Sequence, residues 1–126
     1  MIDRRKTVIL VLLLLCTTAA CTAGAREEVP LPAGLIGRWA TDAPQYADRY
    51  FDLSADTLVI GTGPATSETY DVTRVWREVN DDGVLYTVEY SDDAGEEYDI
   101  GFYFDTAAGS ELRMRNQPNV VWRKVP

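Results

Sequence analysis

"GVLYTVEYSDDAGEEYDIGFYFD", residues 83 to 105, decides how this chain is read. Val84, Tyr86, Val88 and Tyr90 fall on one face of an extended chain, with Thr87 and Glu89 on the other. Tyr98, Ile100, Phe102 and Phe104 repeat the pattern against Asp99, Gly101 and Tyr103. A period of two, rich in β-branched and aromatic side chains, describes strands with one buried face. The intervening "SDDAGE" is turn chemistry, so the two runs form an antiparallel hairpin.

Working outward, weaker runs of the same kind occupy residues 36–41, 49–53, 57–61, 68–79, 111–116 and 120–125. "LSADT", "NDDG", "DTAAGS" and "NQPN" separate neighbouring runs as short turns, and residues 42–48 have room for one helical turn. Eight short strands without space for crossover helices predict an all-β, antiparallel, up-and-down barrel, because closure removes edges that would pair with other chains. A two-sheet sandwich is the alternative. The expected inner face comprises Trp39, Phe51, Leu53, Leu58, Ile60, Tyr70, Val72, Val84, Tyr86, Val88, Tyr90, Tyr98, Ile100, Phe102, Phe104, Leu112, Met114, Val120 and Trp122. Residues 68–79 disturb the alternation: Trp76 falls inside with Arg74 and Glu78, opposite Val75 and Val79. Either a bulge lies near Thr73, or this strand carries apolar residues on both faces and presents a protein-binding patch around Trp76 and Val75.

Upstream of the domain the pattern changes. Arg4, Arg5 and Lys6 precede an unbroken aliphatic run, Val8 to Leu15, which is far shorter than the roughly 20 residues that a membrane-crossing helix needs. Basic segment, apolar run, then Ala19-Ala20-Cys21 reads as an export signal. It resembles the lipobox of bacterial lipoproteins. That resemblance implies cleavage before Cys21, diacylglyceryl transfer to its thiol, and acylation of the freed amine. Thr22 after the cysteine, where an aspartate would hold the protein back, implies the outer membrane. Residues 1–20 are thus expected to be a signal peptide, 21–34 a lipidated, flexible tether broken by Pro30 and Pro32, and 35–126 the barrel. Cys16 leaves with the signal, so the domain has no disulfide.

Composition narrows the function. Residues 1–20 carry three cations and one anion, so without them the formal charge falls from −8 to −10. Nucleic acid, whose phosphates call for clustered cations, is not an expected partner. The chain has no histidine, which excludes histidine-based triads, histidine metal ligands and a histidine proton switch. No nucleophile elbow, phosphate-binding loop or paired catalytic carboxylates occurs, and the acidic stretches at 80–83 and 92–99 read as turns in preference to a calcium site. No enzyme activity, cofactor or metal is expected.

Two short motifs resemble the calycin barrels, which include the lipocalins. Gly37-Arg38-Trp39 on the first strand is similar to the Gly-x-Trp that opens them, and Arg123 in "VVWRK" stands on the last strand. The resemblance implies that Arg123, or else Arg115, stacks over Trp39 and closes one end of the barrel. It also implies a binder of an apolar or amphipathic ligand, with a cavity behind Tyr86, Tyr98 and Phe102, and with Tyr90 as a further lining residue. Tyrosines near strand ends that simply let their hydroxyls reach water are the plainer reading. The alternative function is an interaction or assembly module of the envelope that uses the Trp76 patch.

Overall fold

The computed structural model describes residues 26–105, 107 and 111–126. Cys21 and the signal segment lie outside these residues. Nine strands follow in order: β1 (Glu27–Glu28), β2 (Gly37–Ala40), β3 (Tyr50–Leu53), β4 (Thr57–Gly61), β5 (Ser67–Asn80), β6 (Gly83–Ser91), β7 (Glu97–Phe104), β8 (Glu111–Met114) and β9 (Gln117–Lys124). From β2 onward each strand pairs antiparallel with the next, and β9 returns to β2 through Trp39↔Lys124 and Ala40↔Arg123. Eight strands therefore close into an up-and-down barrel, as the alternation predicts, and not into a sandwich. Short loops leave each strand little choice but to pair with its neighbour in sequence.

The barrel has two unlike ends. The links β2–β3, β4–β5, β6–β7 and β8–β9 gather at one, here called the mouth. At the other end β2 begins, β9 finishes and the remaining links turn back. Inward-facing side chains fill the interior. Trp39, Phe51, Phe102, Phe104 and Trp122 form a connected aromatic cluster, with Phe51 stacked on Phe102 at 5.3 Å and Phe104 edge-on to Trp39 at 6.1 Å. Such contacts add about 0.5 to 1.5 kcal/mol each beyond the area they bury.

β5 settles the disturbed alternation. Its pairing with β6 slips between Val72 and Arg74, so Thr73 is an extra residue. Its hydroxyl donates to the Glu89 carbonyl at 3.1 Å. The bulge restores the inward face, putting Val75 opposite Val88 in the core and turning Trp76 outward opposite Thr87. A patch that includes Val75 is therefore corrected: that side chain is 5% exposed and inside the barrel.

The stretch read as a tether is part of the fold from Arg26 onward. β4 pairs with β5 only as far as Asp71, leaving the far half of this long strand with a free edge. β1 lies along that edge, Glu27 opposite Arg77 and Glu28 opposite Trp76, and the Val29 amide donates to the Val75 carbonyl at 3.0 Å. Glu27 and Glu28 form ion pairs with Arg77 and Arg74, and Arg26 stacks on Trp76, its guanidinium carbon 4.4 Å from the ring centre. The chain then crosses the end opposite the mouth, where Val29 and Leu31 pack on the core and Leu35 is fully buried.

The cation that closes this end is not Arg123. Lys124 places Nζ 5.3 Å from the Trp39 ring centre and donates to the Gly34 carbonyl at 2.7 Å. Arg123 points outward to Asp42 and Glu111, and Arg115 lies outside over Gly101. Strand parity is the reason: Trp122 faces inward, so its neighbour Arg123 faces out and Lys124 returns to Trp122's side. The last hairpin also differs from expectation. Its turn is Arg115–Asn116, and Pro118 lies within β9 where the register with β8 slips, so no ladder donor is required of it.

Candidate functional site

The four side chains expected to line a ligand cavity separate into two groups. Tyr86 and Phe102 are opposite one another on β6 and β7 and both are buried, Tyr86 against Phe104 and Phe102 against Phe51. The space behind them is filled by rings. Tyr90 and Tyr98 form the cross-strand pair nearer the mouth, stacked at 5.5 Å, with Tyr70 of β5 edge-on to both at 5.0 and 6.1 Å. Tyr90 is half-buried, whereas Tyr98 is 43% exposed and lies outside the core cluster.

These three rings plug one side of the mouth, and the hydroxyls of Tyr70 and Tyr98 reach carboxylates at the rim. Tyr70 donates to Glu68 at 2.5 Å and Tyr98 to Asp92 at 3.2 Å. The hydrogen bond to Glu68, helped by burial and by the carboxylate charge, holds the Tyr70 phenol pushed up to about 12. Tyr98 is raised chiefly by its bond to Asp92, and Tyr90 chiefly by burial, with the charge of Asp99 adding to it. All three phenols are neutral at neutral pH.

The acidic stretches serve their own loops. Asp92 Oδ1 accepts the amides of Ala94 and Glu96, and Asn80 Oδ1 accepts that of Asp82. All three are turn-forming bonds of the kind Asp and Asn favour. Among the described residues no group of three or more Asp, Glu, Cys or His is placed to hold a metal ion.

The other side of the mouth holds an apolar cavity of about 160 Å3. Its apolar walls are Phe51 of β3, Leu58 and Ile60 of β4, Ile100 of β7, Met114 of β8 and Trp122 of β9, and Arg49 and Gln117 also line it. Tyr46, from the short helical turn Pro44–Tyr46 in the β2–β3 link, leans over it. The Tyr46 ring is 5.7 Å from that of Trp122 and its hydroxyl donates to Gln117 Oε1 at 2.6 Å, so this link is latched onto the start of β9. Beside the cavity, the Tyr50 ring occupies the place that a Cβ on Gly61 would take, and Arg38 stacks on that ring at 4.1 Å while forking onto Asp52.

One polar atom in this apolar setting is unsatisfied. Trp122 Nε1 is buried without an acceptor among the described residues. A lone buried donor of this kind costs about 1 to 3 kcal/mol. The alternation of β9 places Trp122 inside, but it gives no hint of a missing acceptor, which depends on what its neighbours across the barrel present. The cavity also combines side chains from five strands and a link, a grouping that no local pattern encodes.

On the outer wall, Trp76 is half-buried and engaged. Its Nε1 donates to Glu89 at 2.9 Å, and Arg26 and Arg74 lie over its ring. No family model matches this chain, and no curated protein or solved structure matches it.

Proposed function

We propose that this protein is a lipid-anchored binding barrel of the bacterial envelope, attached through Cys21 and sorted to the outer membrane. In this reading it takes a small apolar or amphipathic molecule at the mouth, without catalysing its conversion. The observation that carries it is the apolar cavity of about 160 Å3 beneath Tyr46, in a barrel whose centre is otherwise packed with aromatic rings. Native cores seldom leave apolar space larger than a water molecule. The cavity opens at the mouth, and its volume is enough for a benzene-sized guest.

Geometry supports the anchored arrangement. Cys21 precedes Arg26 by five residues, a span of at most about 18 Å. Arg26 is held on the half of β5 farther from the mouth. A lipid at Cys21 therefore keeps the closed end toward the membrane and leaves the mouth facing water. The net negative charge holds the domain off an anionic leaflet. An interaction patch centred on Trp76 finds less support, because the chain's own arginines already cover that ring.

Binding is tested by titrating the protein with toluene while following the methyl signals of Ile60, Ile100 and Met114. Shifts that saturate, and that vanish in a cavity-filled Ile100→Phe variant, are expected. Absence of any shift at those methyls sinks the binding reading. Anchoring is tested separately by the intact mass of protein purified from its membrane, set beside a Cys21→Ser form. Acyl chains on a chain beginning at Cys21, lost in the variant, are the expected result.

A further inference from the structure

We propose that the mouth cavity takes a small monocarboxylate, with its apolar body among the walls and its carboxylate at the rim, where Arg49 receives it and Gln117 adds a second donor. This rests on the binding reading above and names the ligand class of that same site.

Polarity across the cavity is graded. Phe51, Leu58 and Trp122 are buried in its walls, whereas Arg49 and Gln117, which also line it, are exposed. A guest seated here buries its apolar body and keeps its head in water, so a charged head costs little desolvation.

The groups at the rim choose the sign of that head. Arg49 is the one charged residue among those that line the cavity. Its amide donates to the Tyr46 carbonyl at 2.9 Å, which fixes the root of the side chain just beyond the Tyr46 turn, where β3 begins at the mouth. Arg38, Arg74, Arg77 and Arg123 each form an ion pair, but Arg49 forms none among the described residues. An exposed guanidinium on a flexible stem swings to a head group at the rim and has no need to point inward beforehand. Gln117 is oriented by its neighbour: its Oε1 accepts from the Tyr46 hydroxyl at 2.6 Å, which leaves Nε2 to donate. Both groups present hydrogens, and a carboxylate accepts from both, with the two-pronged fit to arginine that this shape allows.

Local charge and volume narrow the ligand further. Asp42 is already paired with Arg123 at 3.4 Å, and on this side of the mouth Asp48 stands against Arg49 and Arg115. Asp92, Asp93 and Glu96 belong to the β6–β7 link, beside the tyrosine plug. A volume of about 160 Å3 limits the body to a single ring or a short branched chain.

The test compares phenylacetate with phenylacetamide, which share a shape and differ in charge, through the methyl signals of Ile60, Ile100 and Met114. Phenylacetate is expected to bind about fivefold more tightly at low salt, with the preference shrinking as salt is raised. Arg49→Gln, at an exposed position, should equalise the two affinities, and Arg49→Lys should restore part of the preference. Arg113→Gln, the same change of net charge at an exposed position on β8, should leave the preference intact. Equal binding of the two probes, tighter binding of the amide, or a preference that survives Arg49→Gln overturns the head-group assignment and leaves the binding barrel standing. Binding of toluene with neither probe has the same meaning. If neither probe nor toluene moves those methyls, both readings fall.

Discussion

Lys124 lies over Trp39, its ammonium 5.3 Å from the ring centre and hydrogen-bonded to the Gly34 carbonyl, so one side chain ties the last strand, the first barrel strand and the crossing segment together. Replacing it with methionine keeps most of the stem but removes both interactions. Lys124→Met is expected to cost about 1 to 2 kcal/mol in urea unfolding, whereas Arg123→Met, which loses exposed ion pairs, should cost less than about 0.5 kcal/mol. Equal effects at the two positions would contradict the closure described.

The bulge at Thr73 makes a second prediction through two valines that follow it on β5. Val75→Ala removes buried methyls from the core and should destabilise by about 2 kcal/mol. Val79 is 66% exposed, so Val79→Ala should stay within about 0.5 kcal/mol. Thermal unfolding of the pair checks this, and small effects at both positions would mean that β5 keeps an unbroken alternation with Val75 outside.

The strand laid along β5 should be visible in amide exchange. The Val29 N–H, bonded to the Val75 carbonyl, is expected to exchange slowly. Reversing the charges of its partners with Glu27→Lys and Glu28→Lys opposes Arg77 and Arg74, and should speed exchange at Val29 by about tenfold or more. Global stability should change by less than about 1 kcal/mol, since these pairs are exposed. Fast exchange at Val29 in the unaltered protein would show that this segment does not stay on the wall.

Tyr70 gives the protein an alkaline signature. Its phenol is held at about 12, against an ordinary tyrosine value of 10.0, first by the hydrogen bond to Glu68. The folded state therefore binds this proton more tightly than the unfolded chain does. The resulting stabilisation is complete below pH 10 and is lost as the pH rises toward 12. Tyr70→Phe should remove one late-ionising phenol from a spectrophotometric titration and flatten the loss of stability across that window. An unchanged titration curve would remove Tyr70 from this role.

How much of this was legible before the fold is seen depends on the range of the interaction. Period-two alternation located the eight barrel strands and almost all of the inner face, because each residue's side of a strand is a local property. Tyr98 is the exception: it lies near the mouth, where the inward side opens to water. Leu35, Val75 and Leu85 were missed for separate reasons. Leu35 is buried by a segment crossing the barrel end, and Val75 by a bulge that reverses parity. Leu85 faces outward, yet the missing side chain at Gly101 lets it and Arg115 close over the strand. The closing cation was within reach of the same parity rule, since Trp122 and Arg123 cannot both face in. β1 was not, because it follows from β4 being shorter than β5. The apolar mouth cavity walled by Ile60, Ile100, Met114 and Trp122 was not legible: alternation identifies which side chains point inward, and the sizes of those facing them decide where space remains.

The contacts that hold the barrel shut, from Lys124 and Trp39 to the crossing segment at Leu35, are gathered where the first barrel strand begins and the last one finishes. The four loops of the mouth share little of that duty. Under the proposed binding role, change in the loops falls on selectivity, while change at the opposite end falls on folding. A frame divided in this way tolerates exchange of its β2–β3 link or of Gln117 for others of different length or chemistry, and so lends itself to diversification of what is bound and to deliberate redesign as a small sensor.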